Sequence, residues 1–291
     1  MINWMKYRVF YLVISLFFIG LGIFSLVSWG LKLGVDFTGG SILEYRIEGE
    51  YELDKISSSI EESGYEVSSI QKTGENSYIF KTSPLNQEEK TLLKESIEKT
   101  SKVQLNELRY ESVGPSIGPE LIKKTITAVV ISASLILLWI AYQFKSFKFG
   151  LSAVIAMFHD SFILVGLFSL FGHLYGAEID FMFVTAFLTI LSFSVHDTIV
   201  VYDRIRESYK KFGGDIIELA NSALTETMVR SINNSMTIIF MLLALMLLGG
   251  TTIKWFAVAL LVGTISGTYS SPFVAVPILV SWEEIIKKIK K

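Results

Sequence analysis

Two short stretches set an imidazole beside a carboxyl inside otherwise apolar sequence: "FHDSFILV", residues 158 to 165, and "VHDTIVVY", residues 195 to 202. Surrounded by hydrocarbon, an ionised carboxylate costs about 2.5 to 3.5 kcal/mol even on the mildest insertion scale. Asp160 and Asp197 are therefore groups whose charge must be compensated or cancelled by a proton. The chemistry open to them is proton uptake and release, with His159 and His196 as titratable neighbours.

His196 and Asp197 are adjacent, so on a helix they point about 100° apart and do not form a two-ligand metal site by themselves. The face of Asp197 also carries Phe193, Ser194 and Val201; that of His196 carries Ser192, Ile199 and Asp203. Asp197 is the better candidate for a proton carrier, and His196 alone reads as structural. For His159 and Asp160 both roles stay open. Further polar residues occur in "TETMVRSINNSMTIIF", where Arg230 is followed by Asn233, Asn234, Ser235 and Thr237. An Arg at the end of a span is ordinarily an orientation anchor that snorkels. Thr264, Ser266, Thr268, Tyr269, Ser270 and Ser271 lie in another apolar run, where hydroxyls commonly cement helices.

These residues have to be positioned by membrane helices. The chain has 291 residues, 51% of them hydrophobic, with 5 Pro and no Cys, and its mean hydropathy is +0.49. Six runs are long enough to cross a hydrocarbon core: Val9 to Leu31, Thr125 to Phe144, Phe149 to Phe171, Phe181 to Tyr202, Ser231 to Ile253 and Trp255 to Trp282. The first is too long for a signal peptide and is expected to be a retained anchor. Lys6, Arg8, Lys145, Lys148, Arg204, Arg206, Lys210, Lys211 and the lysines from 287 to 291 then fall on one side, which predicts both termini in the cytoplasm. The net charge of −2 does not suggest a nucleic-acid partner. Without cysteine there are no disulfides and no thiolate sites, and neither a phosphate-binding loop nor a convincing protease motif occurs. No enzymatic activity, cofactor or metal is expected.

Between the first and second spans lies an insertion, residues 32 to 120. Its hydrophobic period switches in the order βαββαβ: "SILEYRI", "LDKISSSIEESG", "YEVSSIQKT", "NSYIFKTS", "NQEEKTLLKESIEKTS" and "QLNELRYESV", with "GEN" as a hairpin signal. A ferredoxin-like α+β domain is predicted there, with a free sheet face or edge strand available to a partner. The expected organisation is a first helix with its cytoplasmic lead (1–31), the extracytoplasmic domain (32–120), five further spans (121–283) and a basic cytoplasmic tail (284–291).

"LGVDFTGGS" (33 to 41) follows the first span, and its paired glycines suit a tight turn. Together with "ESVGPSIGPEL" (111 to 121), "FHDSFILVGLFSL" (158 to 170), "VHDTIVVYDRIRE" (195 to 207) and "GTYSSPFVAVPILVSWE" (267 to 283), it resembles the SecF family of bacterial SecDF complexes, in order and over the whole chain. In that family the position of His196 usually holds Asn. The resemblance implies a motif of Asp36, Phe37, Gly39 and Gly40, and a polar membrane core that includes the Arg at 230. It makes Asp197, Arg230, Asp160, His159, His196, Asn234 and Thr237 the candidate proton relay. It also implies half of a resistance-nodulation-division layout in the bacterial cytoplasmic membrane. The missing half is then SecD, the channel SecYEG and the cargo a preprotein, with YajC and YidC as further company. Rival readings are a proton-coupled exporter of small molecules or lipids and a translocon scaffold that transports nothing.

Overall fold

The computed structural model describes residues 2–114 and 117–289. It divides into two compact units: residues 33–126 with 250–252, and the remainder of the chain.

Helix α1 (Arg8–Trp29), entered through a 3-10 turn at Trp4–Tyr7, precedes the smaller unit. There a single turn, α2 (Val35–Thr38), leads into β1 (Gly40–Glu48), α3 (Leu53–Glu62), β2 (Val67–Gly74), β3 (Ser77–Thr82), α4 (Gln87–Ser101) and β4 (Gln104–Val113). The sheet is antiparallel with strand order β2-β3-β1-β4, the split arrangement of a ferredoxin-like fold. Alternation along β1 buries Leu43, Tyr45 and Ile47 against Ile56 and Ile60 of α3 and Leu93 and Ile97 of α4. The hairpin turn is tighter than "GEN" suggested, because Gly74 still belongs to β2 and Asn76 alone takes φ 57°. Asn86 and Glu89 close a reciprocal cap on α4.

The expected motif has a backbone cause. Gly39 ends α2 at φ 76° and Gly40 opens β1 at φ 142°, where a Cβ would stand 2.6 Å from the Thr82 carbonyl oxygen. Phe37 is buried, and the first turn of the next helix packs so closely on its carbonyl that Gly118 has no room for a side chain.

That helix is α5 (Ile117–Phe144), followed by α6 (Phe147–Tyr175), α7 (Phe181–Phe212), α8 (Ile216–Leu248) and α9 (Thr251–Ser270); a π-helical turn, Ser271–Ala275, joins α9 to α10 (Val276–Ile289). With α9 to α10 as one span, six helices among the described residues are long and apolar enough to cross a membrane. α6, α7 and the α9–α10 span supply most of the buried residues, whereas α1, α5 and α8 expose long apolar faces. Small residues allow a close crossing: Gly22 of α1 lies against Gly166 of α6, and Ser25 Oγ donates to Ser169 Oγ at 2.9 Å.

The largest boundary correction is in the fifth span, expected to begin at Ser231. α8 starts at Ile216, since Leu219, Ala220, Ala223, Leu224 and Thr227 form a buried helical stripe that polar neighbours hide from a hydropathy window. Of the sequence features above, Pro115 and Ser116 of "ESVGPSIGPEL" and Lys290 and Lys291 of the basic tail lie outside the described residues.

Candidate functional site

Asp160, in the middle of α6, is fully buried. Its Oδ1 accepts from Ser266 Oγ at 2.6 Å and lies 3.1 Å from His159 Nδ1; its Oδ2 accepts from Ser194 Oγ at 2.6 Å and Ser270 Oγ at 2.5 Å. Three helices thus converge on one carboxyl group. Ser266 and Ser270 are four residues apart, so one face of α9 delivers both. The approach is close because residue 267 is glycine: a Cβ there would sit 3.2 Å from Ser194 Cα, so even alanine would need the helices to give by a few tenths of an ångström.

His159 is buried as well, and its Nε2 has no hydrogen-bond partner among the described residues. A ring nitrogen in that position can take a proton without breaking an existing bond.

Asp197 forms a second, looser centre on α7. It is 5% exposed, and its Oδ2 accepts from Ser231 Oγ at 2.7 Å. The two faces read from the sequence separate as expected: Ser194, Asp197 and Val201 point inward, while Ser192, His196 and Asp203 are exposed.

The other proposed relay residues are not gathered around Asp197. Arg230, next to Ser231, is exposed and makes no hydrogen bond or ion pair among the described residues, so its charge reaches Asp197 only through space. It lies one turn along α8 from Glu226, which pairs with Arg204. Asn234 and Thr237 are exposed, and the Thr237 hydroxyl donates to the Asn233 carbonyl at 2.9 Å. The α8 hydroxyl that turns inward is instead Ser235, which accepts from Thr268 Oγ1 at 2.7 Å. Register explains the difference: Ser231 and Ser235 are four apart and share the packed face, whereas Arg230, Asn233, Asn234 and Thr237 fall to its outer side.

Ser194, Ser231, Ser266 and Ser270 are the partners of the two carboxyl groups that residue type alone did not single out. The i, i+4 spacing of Ser266 with Ser270, flanked by Gly263 and Gly267, was the available signal.

The chain matches two family models, "Protein export membrane protein SecD/SecF, C-terminal" over residues 93–285 and "SecD/SecF GG Motif" over residues 24–49. It is 41% identical over 300 residues to the protein translocase subunit SecF of Thermobaculum terrenum, covering 97% of this chain and 94% of that one. Against protein translocase subunit SecDF of Thermus thermophilus the identity is 34%, over 87% of this chain and 35% of the longer protein. The crystal structure of SecDF from Thermus thermophilus, titled a translocon-associated membrane protein, superposes with a TM-score of 0.83 at 32% identity, covering 97% of this chain and 39% of that one.

Proposed function

This chain belongs to the SecF family of protein translocase subunits and serves Sec-dependent protein export, and we propose that proton motive force drives it through a SecD partner. In this reading the complex acts on preproteins emerging from SecYEG in the bacterial cytoplasmic membrane, with YajC and YidC as associates and both termini in the cytoplasm. It is a coupling subunit and carries out no covalent chemistry.

One observation carries the proposal. His196 on α7 and Arg230, Asn233 and Asn234 on α8 are exposed on helices long and apolar enough to cross a membrane, and the charges of His196 and Arg230 reach Asp197, whose carboxyl group accepts from Ser231. Polar side chains exposed on such helices face protein or water rather than lipid, and a second polypeptide covering the strip fits the SecD partner. Asp197 then stands at a subunit boundary. One proton crossing about 150 mV releases roughly 3.5 kcal/mol. Neutral Asp197 is content with Ser231 alone, while charged Asp197 favours a packing that brings Arg230 or water closer, so the two protonation states bias two helix arrangements.

Asp197→Asn keeps the shape and removes the titration. In inverted membrane vesicles making a translocating preprotein, the variant should insert and assemble normally yet lose the part of export that an uncoupler abolishes in the native chain. Export that stays uncoupler-sensitive in the variant refutes the proposal.

A further inference from the structure

Asp160 is enclosed more completely than Asp197, and buried hydroxyls continue beyond it toward the end of the bundle that bears Lys145, Lys148, Arg204 and Arg206. One turn along α7 from Ser194, Thr198 Oγ1 lies 2.9 Å from Ser271 Oγ. One turn further, Tyr202 Oη lies 2.7 Å from Ser152 Oγ and donates to the Ala275 carbonyl at 3.1 Å. Ser152 Oγ also lies 2.7 Å from the Lys148 carbonyl, so its single proton serves either that carbonyl or Tyr202, and the Lys148 side chain separately pairs with Glu283 Oε1 at 2.5 Å at the basic end. Ser152, Ser194, Thr198, Tyr202, Ser270 and Ser271 are each no more than 1% exposed.

Two features exceed what is needed to cement helices. Ser270 and Ser271 are consecutive yet reach different levels, Asp160 and Thr198, and they stand where α9 passes into the wider π-helical turn. With His159 Nδ1–H donating to the Asp160 carboxylate, the buried Nε2 is a proton acceptor with no partner among the described residues, next to a carboxyl group that already has four.

We propose that His159 and Asp160 form a second proton-binding site, separate from Asp197, that communicates with the basic end of the bundle through Thr198, Ser271, Tyr202 and Ser152. It rests on the proton-coupled reading above. Among the described residues His159 is the one titratable group within bonding reach of Asp160; α7 contributes Ser194, α9 contributes Ser266 and Ser270, Asp197 is turned to Ser231, and Tyr269 Oη donates to the Tyr11 carbonyl. A proton reaching Asp160 converts the carboxylate to the acid and takes that group from one negative charge to none. Each hydroxyl accepts one proton as it releases another, so its covalent state is unchanged after transfer. Asp160 with its serines, the Thr198–Ser271 pair and the Tyr202–Ser152 pair are successive levels one turn of α7 apart, a rise of about 6 Å each, and hydroxyl rotation carries the proton from one level to the next.

The test is proton flux in inverted vesicles holding the full chain with its SecD partner, followed with a pH-sensitive dye and normalised to assembled complex. Tyr202→Phe removes one oxygen and keeps the ring packed on Phe144 and Phe149, and Thr198→Val keeps the side-chain shape. Each should lower the flux roughly tenfold or more, the scale of losing a positioned proton-transfer group. Thermal stability and assembly should stay near those of the native chain. Asp197→Asn is the reference. Native flux in both hydroxyl variants, with flux lost in Asp197→Asn, overturns the second site and leaves the coupling reading standing. A native complex that passes no protons overturns both.

Discussion

Gly267 is where the convergence on Asp160 is most exposed to a single substitution. A Cβ there would lie 3.2 Å from Ser194 Cα and 3.5 Å from its Cβ, so Gly267→Ala needs the helices to give by only a few tenths of an ångström. Gly267→Val adds two carbons about 1.5 Å further out and forces α9 away from α7. Bonds of 2.6 Å from Ser266 and 2.5 Å from Ser270 survive a shift of less than about 1 Å before they pass the hydrogen-bond limit. Hydrogen bonds between membrane helices are worth about 0.6 kcal/mol on average and up to about 1.7, so losing two costs about 1 to 3.5 kcal/mol. Thermal unfolding in mild detergent measures the loss, and a cycle with the Ser266→Ala, Ser270→Ala double variant assigns it. In the Gly267→Val background the two serine replacements should cost almost nothing further. Full additivity, or a Gly267→Val protein as stable as Gly267→Ala, refutes the account of how this carboxyl group is held.

Two further outcomes follow outside the membrane core. Gly40→Ala puts a Cβ at φ 142° and 2.6 Å from the Thr82 carbonyl oxygen, so it should destabilise the smaller unit by about 2 kcal/mol or more, read as faster hydrogen exchange across the β1–β3 ladder. Asp215, between α7 and α8, is held below the usual carboxylate range by the Lys287 ammonium 3.1 Å away and by the backbone amide of Ile217. A lowered value means stabilisation that is present above the unfolded-state value, about 3.9, and lost as pH falls through the folded-state one. The small stability gap between the native chain and Lys287→Gln should therefore close on acidification below that value, and a gap that persists unchanged in strong acid contradicts the pairing.

Much of this protein is written locally. The period-2 alternation of "SILEYRI" and the helical spacing of Ile56 with Ile60 marked elements that the structure reproduces within two residues. The start of α8 was not legible, because an interior stripe of Leu219, Ala223 and Thr227 can be recognised only once a neighbouring helix is there to bury it. The candidate site was legible in part. Asp160 and Asp197 stood out because a carboxyl in apolar sequence is costly wherever it points, whereas a serine in a membrane helix is cheap and carries no such signal.

The sequence by itself determined that the chain crosses a membrane six times, that a small α+β unit follows the first crossing, and that two acids must live inside hydrocarbon. Those conclusions rest on composition and period, which each segment carries alone. Only the tertiary structure decided that Asp160 is enclosed by Ser194, Ser266 and Ser270 while Asp197 accepts from Ser231, and that Arg230, Asn234 and Thr237 face outward. Such partners come from helices far apart in sequence, and the rotation of each helix about its own axis is set by what packs against it.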